Sequence, residues 1–169
     1  MPSRDLKVRE RPVSELIPSP QNARTHPKRQ IEQIRASIAE FGFTNPILAD
    51  PDGNVIAGHG RLLAVKAMGL ATVPVIDLDG LSEAQVRALR LADNKIALNA
   101  GWDLEILQAE LAELATIDIG IDPLLTGFST GEIDVILKGS DDPDDDVILA
   151  VPVTPRTRRP SSAYAQRVQ

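Results

Sequence analysis

The chain has 169 residues, 43% of them hydrophobic and 25% charged, which is typical of one globular domain with or without a tail. It contains no cysteine, which excludes disulfides, thiolate metal sites and cysteine nucleophiles. With 3% aromatic residues it is a poor platform for stacking single-stranded nucleic acid, and a net charge of -6 argues against a basic nucleic-acid binder as a whole. Apolar runs stay short of the ~18 residues that a membrane-spanning helix needs, and the N-terminus is charged. We therefore expect a cytoplasmic protein with no membrane contact.

The first predicted elements are a strand, a loop and a helix. Residues 12–18 (PVSELIP) predict a short strand followed by a turn, because their apolar residues are bounded by two prolines. Residues 19–27 have the composition of a loop. Isoleucines and Phe41 at spacings of three and four predict an amphipathic helix from Lys28 to Phe41, with Gly42 as its C′ residue.

A β-hairpin and a helix follow. Residues 47–48 and 55–56 are expected to form the two strands of the hairpin, joined by the turn sequence DPDGN. A helix is predicted over residues 61–68 and ends at a glycine. The next strand covers residues 71–78, where Pro74 favours an edge or strand-start position.

Three helices are predicted in the C-terminal half, each with a polar residue at its N-cap. A capping box at residues 82–85 begins a helix that runs to about Leu91, and a second box at residues 129–132 begins another. Asp103 caps the helix between them, preceded by Trp102 as a core aromatic. The apolar residues of the last two helices are expected to face inward: Leu104, Leu107, Leu111, Leu114, Ile133, Ile136 and Leu137.

Regular structure is expected to fade near Lys138. Residues 139–146 are rich in aspartate, and the remainder combines prolines with four arginines and no acidic residue. Such a composition predicts an acidic linker and a disordered tail, so the globular unit covers about residues 8–137.

The sequence GHGR at residues 58–61 lies between a strand-like run and a helix-like run. Backbone N–H groups at a helix start point outward, and the helix dipole is positive there. Glycines let main chain approach an anion, and Arg61 can add a bidentate contact. The segment therefore suits a phosphate, although a turn without any ligand is the alternative.

Two further polar clusters lie at the edges of predicted elements. Residues 21–26 place Asn22, Arg24 and His26 in a loop, and residues 92–95 place Asp93, Asn94 and Lys95 at the end of an apolar helix. If both converge with the GHGR turn, the cations can bind phosphates, and the Asp-Asn pair can hold Mg²⁺ through oxygen ligands. The alternatives are a solvated loop and an ordinary helix end.

Ordered motifs then identify a family resemblance over about residues 8–100. The segments L-I-P-x-P-x-N-x-R, S-I-x-E-F-G, N-P-I-L, I-A-G-H-G-R-L-L-A and L-A-D-N-K resemble the ParB/sulfiredoxin-like domain, also called the ParB-like nuclease domain. The resemblance implies an α+β fold with a small mixed sheet and flanking helices. We expect this domain at residues 1–100, a helical C-terminal extension packed on it at residues 101–137, and the linker and tail at residues 138–169.

The resemblance also implies a nucleotide site for CTP with Mg²⁺, and ATP is kept as an alternative nucleotide. Arg24 matches the arginine of the family's Q-P-R segment, residues 58–61 match G-E-R-R, and Asp93 with Asn94 matches E-N. His59 and Gly60 replace the acidic residue and the first arginine of G-E-R-R, which puts nucleotide hydrolysis in question. The candidate phosphate-binding residues are thus Asn22, Arg24, Gly58, His59, Gly60, Arg61, Asn94 and Lys95, with His59 as the candidate catalytic residue and Asp93 and Asn94 as candidate metal ligands.

Residues 101–137 are acidic and leucine-rich, and we expect no DNA-recognition helix among them. The residues of several motifs, among them NARTH, GHGR and LTGF, resemble the ParB-like domain that is fused ahead of DNA methyltransferases in phages and prophages. No D-P-P-Y or F-x-G-x-G motif follows, so a stand-alone or truncated module is expected, and not a methyltransferase in itself. The missing cysteine excludes the sulfinic acid reductase chemistry of sulfiredoxins.

Three functions remain open at this point. The first is a module that binds a nucleotide or a DNA phosphate and acts in DNA modification or chromosome partitioning. The second is a metal-dependent nuclease or nucleotide hydrolase in which His59 assists water and Asp93 holds the metal. The third is an interaction module whose leucine-rich helices dock a partner or a second copy without any ligand site.

Overall fold

The computed structural model describes residues 6–116 and 122–139. The acidic linker and arginine-containing tail were predicted over residues 138–169, of which residues 140–169 lie outside these described residues. The secondary structure, in chain order, consists of β1 (Val8–Pro12), α1 (Lys28–Phe41), β2 (Ile47–Ala49), β3 (Val55–Ala57), α2 (His59–Met68), β4 (Thr72–Asp77), α3 (Glu83–Ile96), α4 (Leu104–Thr116) and α5 (Thr130–Lys138), with short 3₁₀ turns at Val13–Glu15, Ala97–Asn99 and Pro123–Thr126.

The four strands form one mixed sheet in the order β1-β4-β2-β3. β1 pairs antiparallel with β4, β4 parallel with β2, and β2 antiparallel with β3, which is the predicted hairpin. Buried aliphatic side chains from the strands and from α2 fill the main core, and Ile38 and Phe43 pack against it. The α+β fold with a small mixed sheet is therefore confirmed.

Two strand predictions are wrong. The first strand ends at Pro12, and the chain then makes a 3₁₀ turn. In this turn Val13 and Leu16, three residues apart, point into the core while Ile17 is exposed. Pro74 also does not mark an edge, because β4 lies between β1 and β2. The ladder with β2 begins only at Val75, so an interior strand accommodates a residue that lacks an N–H.

The predicted bounds of α1 are confirmed, with the N–H of Gly42 donating to the Ile38 carbonyl, although Phe41 is exposed rather than inward-facing. α2 begins two residues earlier than expected. α3 runs five residues past Leu91 and ends at Ile96, so the sequence ADNK lies at the end of the helix, as expected. Asn94 Nδ2 donates to the Arg90 carbonyl one turn earlier (2.9 Å).

The last two helices carry a second, smaller core. Both predicted caps are present, since Asp103 accepts from the N–H of Ile106 and the residue 129–132 box is complete. The cluster comprises Leu107, Leu111, Ile133 and Ile136, with Phe128 and Leu137 packed against it. Leu104, in the first turn of α4, is exposed outside the cluster. Trp102 is 63% exposed with its ring 5.4 Å from that of Phe128, so its expected core position is wrong.

The C-terminal helices meet the rest of the fold along α1. Gln33 Nε2 donates to the Gly127 carbonyl at 2.7 Å, and Arg29 lies 3.9 Å from the Glu132 carboxylate. The division into residues 1–100 and 101–137 stays a prediction.

Candidate phosphate-binding cleft

The GHGR segment forms a sharp junction between β3 and α2. Gly58 adopts the left-handed conformation (φ 95°, ψ 25°) and is the N-cap of α2. No side chain among the described residues caps this helix, and the first backbone bond runs from the Leu62 N–H to the Gly58 carbonyl. The N–H groups of residues 59–61 therefore form the positive end of a ten-residue helix.

The Arg61 side chain folds back over Gly58, in the same GHGR turn. A Cβ on Gly58 would lie 2.9 Å from Arg61 Nη2, so a side chain at residue 58 would displace the guanidinium from this position. Arg61 Nη2 donates to the Pro46 carbonyl (3.2 Å), whereas its buried Nε makes no hydrogen bond. Burial lowers the pKa of Arg61 from its ordinary value, and the nearby Asp93 carboxylate opposes that shift. The result is a fixed cation with an unused donor beside the helix start.

Gly60 has a packing role that the sequence did not show. A Cβ at this position would lie 3.0 Å from both His26 Nδ1 and Ile34 Cδ1. The glycine therefore lets the loop before α1, and α1 itself, approach the first turn of α2. His26 Nδ1 in turn lies 2.9 Å from Gln30 Oε1, which fixes the ring against α1.

His59 is 8% exposed, and its Nε2 accepts a hydrogen bond from the Ser19 N–H at 3.2 Å. An accepting Nε2 requires the neutral ring with its proton on Nδ1. Burial lowers the pKa of His59 below 6.5, with smaller contributions in the same direction from the positive charges of Arg90 and His26, and an opposing one from Asp93. His59 thus ties the loop before α1 to the helix start, and the Nε2 lone pair that a general base would use is occupied.

The three predicted segments meet at one cleft of about 150 Å³. Arg24 Nη1 lies 3.4 Å from the Asn94 carbonyl, which joins the loop before α1 to α3 across the cleft mouth. Of the predicted site residues, seven line this cleft: Arg24, Gly58, His59, Gly60, Arg61, Asp93 and Asn94. His26, Gln30 and Ile34 line it as well. The signal for Gln30 and Ile34 was available, since they are four residues apart on α1 and share one helix face.

Asn22 and Lys95 are not among the residues that line the cleft. Asn22 shapes the loop instead, because its side chain donates to the Arg24 carbonyl (3.0 Å) and accepts from the Arg24 N–H (3.4 Å). Lys95 is exposed on α3, next to the two residues that do face the cleft. The Lys95 side chain does not line the cleft because residues 92–95 are helical, and successive helical residues point about 100° apart.

Asp93 supplies the one carboxylate that lines the cleft. Among the described residues there is no group of three or more His, Cys, Asp or Glu side chains that could hold a metal ion. This donor set fits Mg²⁺, which commonly binds through one or two protein oxygens together with phosphates and water. It is small for two-metal phosphodiester cleavage. None of the described helices combines the length and apolarity needed to span a bilayer.

Two segments of the chain match models of known protein families. Residues 3–95 match the ParB N-terminal domain, and residues 105–159 match the ParB-methyltransferase HTH domain. The second match corrects the expectation that no DNA-recognition helix follows the first domain. The leucine-rich, acidic composition of residues 101–137 concealed it, and residues 117–121 and 140–159 of the match lie outside the described part of the chain.

Two curated relatives differ in how much of them the chain covers. The ParB-like nuclease domain-containing protein YnaK of Escherichia coli K12 is 48% identical over 83 residues, which are 49% of this chain and 95% of that protein. The Stage 0 sporulation protein J of Bacillus subtilis is 31% identical over 91 residues, 52% of this chain but only 32% of that protein.

A solved structure supports the fold. The C-terminally truncated chromosome-partitioning protein ParB from Caulobacter crescentus, complexed with CTP-gamma-S, superposes with a TM-score of 0.64 at 22% identity, covering 78% of this chain and 77% of that one. From the match over residues 3–95, the chain belongs to the ParB N-terminal domain family, in the form that precedes a ParB-methyltransferase HTH domain.

Proposed function

We propose that the chain is a nucleotide-binding module that acts in DNA modification or chromosome partitioning. The observation that carries the proposal is the convergence of Arg24, the uncapped start of α2, Arg61 and Asp93 on one small cleft. Three segments far apart in sequence supply these groups, and positive charge predominates among them. The family relative crystallised with CTP-gamma-S is consistent with a nucleoside triphosphate as the ligand.

Each group has a role set by its chemistry. The N–H groups of residues 59–61 donate to phosphate oxygens, which a helix N-terminus binds readily. The guanidinium groups of Arg61 and Arg24, two residues that line the cleft, add charge-assisted hydrogen bonds. Asp93 and the Asn94 side chain, when they hold Mg²⁺, do so together with the phosphates of the ligand.

The same geometry favours binding over turnover. His59 is buried and neutral, and its Nε2 already accepts a backbone N–H. His59 therefore cannot act as the general base that the sequence suggested for a water molecule in the cleft. We infer that the module holds its nucleotide rather than hydrolysing it quickly.

DNA is the second partner in this proposal. The match to a helix-turn-helix domain over residues 105–159 supports contact with DNA through the C-terminal half of the chain. The arginines after Asp146 lie at the end of, or just beyond, that match and would bind phosphates. A separate methyltransferase or a second copy of this chain are the further partners that we expect.

Titration calorimetry of the full chain tests the nucleotide site. We expect binding of CTP or ATP in the presence of Mg²⁺, and at least tenfold weaker binding for Arg24→Ala and Arg61→Ala, because each removes a charge-assisted contact worth about 1.5–3 kcal/mol. Arg9→Ala, on the exposed face of β1, is the matched control and leaves the affinity unchanged. Absence of binding by CTP, ATP and GTP alike contradicts the proposal.

A further inference from the structure

His26 is a polar side chain of the cleft to which the proposed function gives no role. It lies two residues after Arg24 in the loop before α1, is partly exposed, and lines the same cleft as Arg61 and Asp93. The chain has only two histidines, and the other one, His59, is buried and already accepts a backbone N–H. His26 is therefore the imidazole that keeps a ring nitrogen available to a ligand.

Two neighbours hold the ring of His26 in place. Its Nδ1 lies 2.9 Å from Gln30 Oε1, and because that oxygen can only accept, Nδ1 carries the hydrogen of this bond. Gly60 makes room for the ring, since a Cβ there would lie 3.0 Å from Nδ1 and 3.1 Å from Cε1. Within residues 6–116 and 122–139, no hydrogen bond or ion pair of His26 Nε2 is found. The ring is thus fixed through one nitrogen and leaves the other for a ligand.

The charged and titratable groups that face His26 in the cleft come from three elements. Arg24 belongs to the same loop, His59 and Arg61 to α2, and Asp93 to α3. A phosphate that binds to these cations brings several negative charges into the cleft. Nearby negative charge favours the protonated form of an imidazole, so ligand binding and protonation of the ring support each other.

We propose that His26 binds a phosphate oxygen through its Nε2–H, and that the cleft takes up a proton when the nucleotide binds. When Nδ1–H donates to Gln30 and Nε2–H donates to the phosphate, both ring nitrogens carry hydrogen, which only the imidazolium form provides. The proton comes from the solvent, and no covalent bond of the ligand changes. Nucleotide affinity therefore rises as the pH falls from about 8 toward 6, the range in which histidine changes charge. This inference rests on the proposed function.

Titration calorimetry of the full chain with CTP, ATP and inorganic triphosphate, all with Mg²⁺, tests the contact. Measurements at about pH 7.5 in two buffers of different ionisation enthalpy give the number of protons taken up per ligand bound. We expect the natural chain to take up more protons than His26→Gln, by a fraction of one proton. His26→Ala should bind these ligands at least about tenfold more weakly, because a charge-assisted hydrogen bond is lost. His26→Gln keeps a neutral donor and should lose less affinity.

Nitrogen-15 NMR of the two imidazoles gives a direct readout of the protonation state. The signals of His26 are those missing from the spectrum of His26→Gln. Triphosphate should shift both ring nitrogens of His26 toward the imidazolium values. The signals of His59 should stay those of a neutral ring with its proton on Nδ1, since Nε2 accepts the Ser19 N–H.

Lys28→Ala is the matched control. It removes a positive charge two residues from His26, on an exposed side chain that is not among those lining the cleft. Its proton uptake should equal that of the natural chain, and its affinity should change less than about threefold, because exposed charges are screened by salt.

Two results overturn this inference alone, provided that the natural chain binds at least one of the three ligands. One is an unchanged affinity in His26→Ala, and the other is equal proton uptake by the natural chain and His26→Gln. Absence of binding by all three ligands overturns the proposed function as well.

Discussion

Gly58→Ala is expected to be the most destabilising single-methyl addition at the cleft. Gly58 has φ +95°, and a non-glycine residue in the left-handed region costs about 1–2 kcal/mol. The new Cβ would also lie 2.9 Å from Arg61 Nη2, so the guanidinium must move and give up its 3.2 Å bond to the Pro46 carbonyl. Hydrogen bonds of charged donors are worth about 1.5–3 kcal/mol. The free energy of unfolding should therefore fall by about 3–4 kcal/mol.

Gly69→Ala is the matched control at the other end of α2. Gly69 is also left-handed (φ 70°, ψ 25°), but nothing lies within 4 Å of the Cβ that would be added. It therefore reports the backbone cost alone, about 1–2 kcal/mol. Urea unfolding of both variants measures the difference, which we expect to be about 2 kcal/mol.

A double-mutant cycle isolates the cause. In an Arg61→Ala background the added methyl at residue 58 meets no guanidinium, so Gly58→Ala should cost no more than Gly69→Ala. Nucleotide affinity should also fall in Gly58→Ala and stay unchanged in Gly69→Ala. Equal destabilisation by the two single variants, or an excess that persists without Arg61, refutes the interpretation that Gly58 exists to seat this arginine.

Three further predictions concern protons, metal and DNA. The pKa of folded His59 lies below the unfolded value of 6.5, so the unfolded chain takes up protons first on acidification. The stability contribution of neutral His59 is present above pH 6.5 and is lost as the pH falls from there toward the folded pKa, and His59→Gln should flatten this slope in urea unfolding. Asp93→Asn should lower the Mg²⁺ enhancement of nucleotide affinity about tenfold in calorimetry, with Mg²⁺-free affinity kept or raised. Replacement of the four arginines after Asp146 by glutamine keeps the full length of the helix-turn-helix match and should make the salt slope of DNA binding shallower by up to about 3–4.

Each of these three predictions is contradicted by a specific outcome. An unchanged pH slope in His59→Gln contradicts the role of the neutral imidazole. Weaker nucleotide binding by Asp93→Asn in the absence of Mg²⁺ shows that the carboxylate does not act through the metal. An unchanged salt slope after the arginine replacements shows that these arginines do not contact DNA.

The sequence by itself determined the local elements and the segments that carry polar chemistry. Apolar spacing set the bounds of α1, and the capping boxes set the starts of α3 and α5, because both signals depend on neighbours within one or two turns. Ordered motifs identified the family resemblance. The GHGR turn could be placed at a helix start for the same local reason.

Only the tertiary structure decided what those segments do. His59 accepts a hydrogen bond from an N–H forty positions away in the chain, and Arg24 reaches a carbonyl seventy positions away. Burial and such partners depend on how α1, α2 and α3 pack, which no local period encodes. The same packing excluded Lys95 from the cleft and buried Arg90.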